Sequence, residues 1–413
     1  MFKNTLLFCL MMWFTVLNFS CKAQNHSTND NTIKTGAEQT QLYLPLLKDK
    51  KVGVLTNQTG VIVSNEIVNI AAAPGGTNFQ KATKKTHLVD FLIDNKVKVS
   101  KIYAPEHGFR GTADAGELIK DGKDTKTGLS IISLYGKSKK PSKEQLAGID
   151  VMVFDLQDVG VRFYTYISSL HYLMEACAEN NIPVIVLDRP NPIGSKVDGP
   201  KLDMAHKSFV GMHPIPVLHG MTIGEYAQMI NGEKWLENGI QCRLTVIPCA
   251  NYDKNMSYSL PIKPSPNLPN DHSIQMYASL CFFEGTNVSM GRGTDKQFQI
   301  YGSPYLGKQP FTFTPLPNEG AKDPMHNGKK CFGEDLTQYD KQPGLELKWL
   351  VKAYQATSEK QNFFNSFFTN LAGSKNLRSQ IEKGWSAEKI QQSWTSDIEE
   401  FKEIRKKYLI YSE

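Results

Sequence analysis

Beyond its first twenty residues the 413-residue chain has no uninterrupted apolar run near the roughly 18 residues that a membrane-spanning helix requires. Cysteine is scarce and unpatterned. With Cys9 and Cys21 set aside, Cys177, Cys242, Cys249, Cys281 and Cys331 remain, an odd number without CxxC spacing, which argues against a disulfide framework and against a zinc site. A dominant charge is missing as well: 47 Lys and Arg against 41 Asp and Glu leave +6, with no basic run interleaved with aromatics, so nucleic acid is not an expected partner. No G-x-G-x-x-G follows a strand and no phosphate-cradling P-loop is present, so nothing calls for a nicotinamide, flavin or nucleotide, and no cofactor is expected. Serine-triad hydrolysis lacks its G-x-S-x-G elbow. A metal would have to gather His107, His213, His219, Asp155, Asp158 and Asp188 without any HExxH-like pair, and none is expected.

What is present begins with a leader. Lys3, an apolar core from Leu6 to Phe19 and then Ser20-Cys21 read as a secretory signal over residues 1–20. Cys21 after a small residue suggests a lipidated bacterial lipoprotein of the cell envelope, periplasmic or anchored to the outer membrane, touching the membrane only through its lipid. The motif is imperfect, with Asn18 where a strict lipobox has Leu, and plain secretion is the alternative. Residues 21–41, rich in Asn, Thr, Ser and Gln, read as a flexible tether.

From Val52 onward short apolar runs alternate with amphipathic ones. Strands are expected at 51–56, around 99–103, at 131–135, 150–155, 183–187 and 215–218, with helices at 87–95, 141–147 and 165–180 between them. Ser142 with Gln145, and Thr222 with Glu225, have the spacing of capping boxes, so Glu225 is assigned to structure. The pattern predicts an α/β protein: a Rossmann-like, doubly wound, mostly parallel sheet over 42–270 and a smaller α+β C-terminal domain over 271–413 that closes a cleft. The proline-rich stretch 261–270 marks the boundary.

Polar residues gather where strands end, which is where open α/β sheets bind ligands. Glu106 and His107 follow one strand and precede the turn residues Gly108 and Gly111; they are either catalytic or simply pin a loop. A second carboxylate, Glu284, stands in the cluster 282–295 with Arg292. Two carboxylates from separate loops suit glycosidic bond cleavage, and Tyr103, Phe163, Tyr164 and Tyr166 suit stacking against a sugar ring.

The runs YAPEHGFRGTADAGE (103–117), VFDLQDVGVRFYTYISSLHYLMEACAENNIPVIVLDRPNP (153–192), DGP (198–200), FVGMHPIPVLHGMTIGEYAQMING (209–232), KPSPNLPN (263–270) and FEGTNVSMGRGTDKQFQIYGSP (283–304) resemble those of the exo-β-N-acetylmuramidase family, formerly a domain of unknown function. The resemblance spans about residues 45–413 and is densest between 100 and 305. It implies an exo-acting glycoside hydrolase of cell wall recycling that removes terminal N-acetylmuramic acid from the non-reducing end of peptidoglycan fragments such as MurNAc-GlcNAc. A non-catalytic surface glycan-binding lipoprotein is the alternative. On the matching motifs Glu106 and Glu284 are the catalytic carboxylates. Arg162, Arg189 and Arg292 are candidates for the lactyl carboxylate of the sugar, and His107, Asp158, Tyr164, Asn191, His219 and Asn267 for its other polar groups.

Overall fold

A computed structural model describes residues 31–71, 77–109, 121–136, 138–340 and 344–413. The signal sequence and Cys21 lie outside them, as does most of the loop 112–128. Seven strands form the main sheet: β1 (Lys51–Thr56), β2 (Lys98–Ala104), β3 (Gly122–Lys123), β4 (Ser130–Ser133), β5 (Val151–Asp155), β6 (Val184–Leu187) and β7 (Leu244–Ile247). Their order is β7-β6-β5-β1-β2-β4-β3, parallel throughout except for the antiparallel edge pair β3 and β4. β1, β5 and β6 are buried almost from end to end and read as continuous apolar runs, because helices cover both faces of a parallel sheet. The chain builds outward from β1 through β2 to β4, then returns to lay β5 on the other side of β1. The direction of winding reverses there, and the carboxyl ends of β1, β2 and β5 open a crevice.

The helix Tyr166–Glu179 follows β5 and buries Ile167, Leu170, Leu173, Met174 and Cys177 against the sheet, which makes Cys177 core filling as its helical spacing suggests. All five cysteines after Cys21 are free and buried. Both capping boxes form: Ser142 with Gln145, and Thr222 with Glu225.

Four features differ from the sequence-based expectation. Residues 61–87 contain a long antiparallel hairpin, Val61–Ala71 with Thr77–His87, where only a loop is expected. The predicted strand 215–218 shrinks to Leu218–His219, which pairs antiparallel with Val197–Asp198 outside the main sheet. β7 supplies the edge strand instead. The expected tether ends early, since the compact unit starts at Ile33: Lys34 bridges to Ala250, and Gly36 donates to the Asp188 carbonyl at 2.7 Å. Gly36 sits so close to the backbone of Ile247 and Asp188 that a Cβ would collide with both.

After Asn270 the chain turns α+β. Ile300–Ser303, Cys331–Asp335 and Phe311–Phe313 make a small antiparallel sheet, followed by five helices between Lys348 and Arg405. The last residues return to the first part of the chain. Tyr411 donates to Asp188 Oδ2 at 2.6 Å and the Ile410 amide donates to Glu225 Oε1 at 2.8 Å.

Candidate active site

Loops leaving the carboxyl ends of β2, β4 and β5 meet the segment 277–298 around a cavity of about 580 Å³. Glu106 reaches it because Pro105 ends β2 and His107 and Gly108 both take positive φ, 70° and 74°, which turns the chain back on itself. His107, a non-glycine residue in the left-handed region and 4% exposed, is held in a conformation that costs backbone energy.

Two hydroxyls grip the Glu106 carboxylate, one oxygen each. Tyr135, two residues past β4, donates to Oε1 at 2.9 Å, and Thr165, past β5, donates to Oε2 at 2.7 Å. Thr165 is the N-cap of the helix Tyr166–Glu179, so the carboxylate lies at that helix's positive end. On the facing wall Arg292 donates to Glu284 Oε1 at 2.6 Å and lies 5.2 Å from the Phe298 ring centre. The two carboxylates converge on one group: burial first, then Glu106 and Glu284, push the Tyr135 hydroxyl well above its ordinary value, which keeps it a donor. Phe163, Tyr164, Tyr277 and Phe298 supply an aromatic floor, with Tyr164 fixed by its hydroxyl donating to the Pro264 carbonyl at 2.7 Å.

Of the residues singled out from sequence, Glu106, His107, Phe163, Tyr164, Glu284 and Arg292 line this cavity. The others do not, and their partners explain why. Arg162 is wholly buried and donates to the carbonyls of Pro200, Ile215 and Leu371, so it ties loops together and faces no ligand. Arg189 is locked to Asp155 at 2.6 and 2.9 Å and to the Val61 carbonyl, a buried pair behind the carboxyl edge of the sheet. Asn191 donates to the Met221 carbonyl and accepts from the Ile193 amide. Asp158 accepts from the Gly160 amide at 2.7 Å and faces His219 at 3.7 Å, both nearly or fully buried. Burial pushes Asp158 up to about 7 and His219 down to about 3, so both lean toward their neutral forms. Asn267 acts at one remove, donating at 2.6 Å to the carbonyl of Gly320, which is part of the cavity wall.

Sequence reasoning passed over Tyr135, Lys139, Thr165, Tyr277 and Asp323, all of which line the cavity. Tyr135 and Thr165 carried the signal that singled out Glu106, a polar side chain just beyond a strand, but neither side chain looks catalytic in isolation. Among the described residues, the carboxylates close enough to share a metal ion are Glu175, Glu179 and Glu237, outside the cavity, and Lys140 already bridges the first two at 2.9 and 2.6 Å.

Comparison with known proteins agrees with this architecture. Residues 52–272 match the family model described as "Exo-beta-N-acetylmuramidase NamZ, N-terminal", and residues 275–411 match its C-terminal counterpart. The chain is 37% identical to the peptidoglycan beta-N-acetylmuramidase NamZ of Bacillus subtilis (strain 168), covering 97% of each chain. Among solved structures it resembles a DUF1343 family protein of Bacteroides fragilis NCTC 9343, with 43% identity, a TM-score of 0.81, and coverage of 92% of this chain and 99% of that one. A second DUF1343 family protein of the same organism has 28% identity and a TM-score of 0.73 at the same coverage.

Proposed function

The chain belongs to the exo-β-N-acetylmuramidase NamZ family, and from that premise we propose that it is an exo-acting glycoside hydrolase releasing terminal N-acetylmuramic acid from the non-reducing end of peptidoglycan fragments. The observation that carries the chemistry is the pair Glu106 and Glu284, which come from distant parts of the chain and line one cavity. Glycoside hydrolysis needs such a pair: one carboxyl protonates the leaving oxygen, while the other activates water or attacks the anomeric carbon.

Glu106 suits a proton-handling role because a hydroxyl bonds to each of its oxygens. A hydroxyl donates to a carboxylate and, by rotating, accepts from a carboxylic acid, so Tyr135 and Thr165 hold Glu106 in place in either protonation state. Glu284 has a permanently charged donor in Arg292, which fixes its orientation and suits the second role. The aromatic floor gives a sugar ring an apolar surface, and the confined volume suits the capture of a chain end.

Incubation with the disaccharide MurNAc-GlcNAc, followed by NMR, tests the reading. Release of N-acetylmuramic acid is expected, and the anomer first formed reports whether configuration is retained or inverted. Binding without turnover would overturn it in favour of a glycan-capture protein.

We also propose that the mature chain is a lipoprotein of the cell envelope, supported by Ser20-Cys21 after the apolar run. Cys21→Ser is expected to block lipidation and release the protein from the membrane fraction. Unchanged fractionation would sink this assignment.

A further inference from the structure

N-acetylmuramic acid differs from N-acetylglucosamine by an O3 lactyl group that carries a carboxylate. The cavity is not built to welcome an anion: Glu106, Glu284 and Asp323 all line it. Among the described residues, Arg292 and Lys139 are the Arg and Lys side chains that line it, and Arg292 is already committed to Glu284 at 2.6 Å. Arg162 and Arg189 are buried against their own partners, which removes them as ligands for the lactyl group.

Lys139 differs from the other described candidates. It is half-buried, its ammonium sits 4.6 Å from the centre of the Phe209 ring, and it has no carboxylate partner among the described residues. The next residue, Lys140, turns the other way into the double bridge with Glu175 and Glu179. Phe209 stacks on Tyr172 and its centre lies 6.2 Å from that of Tyr135, the residue that holds Glu106, so Lys139 stands on the wall that carries the catalytic carboxylate. An ammonium held against an aromatic face loses part of its water on that side and keeps its other donors for an incoming anion.

We propose that Lys139 is the specificity determinant of this site, its ammonium pairing with the lactyl carboxylate of the terminal sugar. The inference rests on the muramidase reading above and adds the residue that makes the site select the acidic sugar.

The test compares an aryl β-N-acetylmuramide with the same glycoside whose lactyl carboxylate is masked as a methyl amide, using wild type, Lys139→Ala and Lys139→Arg. Wild type is expected to prefer the free acid in kcat/KM. Lys139→Ala should lose roughly 10- to 100-fold on the free acid, the usual scale for a hydrogen bond to a charged group. It should change little on the amide, so that the preference disappears, and Lys139→Arg should restore most of it. Inhibition constants for N-acetylmuramic acid and its methyl amide read the same difference without turnover. Equal losses on both glycosides, or an undiminished preference in Lys139→Ala, would overturn the role of Lys139 while leaving the muramidase reading intact. A wild-type protein inactive on both glycosides would overturn that reading and this inference together.

Discussion

Glu106→Gln keeps the side chain's size and can still bond to Tyr135 and Thr165, but it carries no proton to give or take. Turnover of MurNAc-GlcNAc is expected to fall by on the order of 10²–10⁴-fold, with the fold intact by circular dichroism. If Glu106 protonates the leaving oxygen, an activated aryl glycoside should lose much less; equal losses would assign it the other role. Tyr135→Phe removes one of the hydroxyl grips on Glu106 and leaves the ring in place. A smaller loss, roughly tenfold in kcat with KM nearly constant, is expected, because the Thr165 grip on Glu106 stays. Glu106 and His107 were legible in the sequence as polar residues between a strand and a glycine turn. Arg162 and Arg189 were not legible as structural, because the carbonyls that hold Arg162 come from residues 38, 53 and 209 positions away. Only the folded chain brings such partners together.

Short-range rules decide the elements that sequence reading recovered. The capping box of Thr222 and Glu225 spans only four residues, and the structure adds a second duty: the Thr222 hydroxyl donates to Asp188 Oδ2 at 2.7 Å. Thr222→Ala is expected to destabilise the protein by about 1–2 kcal/mol, read as a lower urea midpoint at constant m-value. An unchanged midpoint would mean that the helix Ile223–Gly232 needs no cap. The hairpin 61–87 escaped because its strands, VIVSNEIVNIA and TNFQKATKKTH, lack the clean apolar alternation that marks a half-buried strand. β7 escaped because LTVI is four residues long and pairs only with β6, so its identity as a strand comes from that neighbour.

Across the whole molecule, the C-terminal residues clamp onto the first part of the chain through Tyr411 to Asp188, Ile410 to Glu225 and Arg405 to the Gly220 carbonyl. Removal of residues 409–413 strips buried acceptors of their donors and is expected to cost roughly 2–4 kcal/mol in urea unfolding. Buried carboxyls also tie stability to pH. Burial raises Asp158 from 3.8 to about 7 and Asp188 from 3.8 to about 6, so the folded state holds these protons more tightly than the unfolded one. Their contribution is complete below about pH 4 and is lost as pH rises through about 6 to 7. Buried His171 and His219, lowered to about 4 and about 3, act in the opposite sense over the acid range, so substitution is needed to isolate either. Asp158→Asn should therefore gain in Tm relative to wild type between pH 4 and pH 8; a difference independent of pH would contradict the raised value. The sequence by itself determined the parallel α/β plan, the change of character near residue 270, the capping boxes and the position of Glu106 at the end of a strand. Each of these is set by propensity, periodicity or turn chemistry over a few neighbouring residues. Tertiary structure alone decided which polar groups face the cavity and which are spent in the core, how Tyr135 and Thr165 come to share one carboxylate, and why Lys139, among the described residues lining the cavity, is a cation without a carboxylate partner. Hydrogen bonds and ion pairs between distant segments exist only once the sheet has wound both ways from β1 and the C-terminal part has closed over its edge.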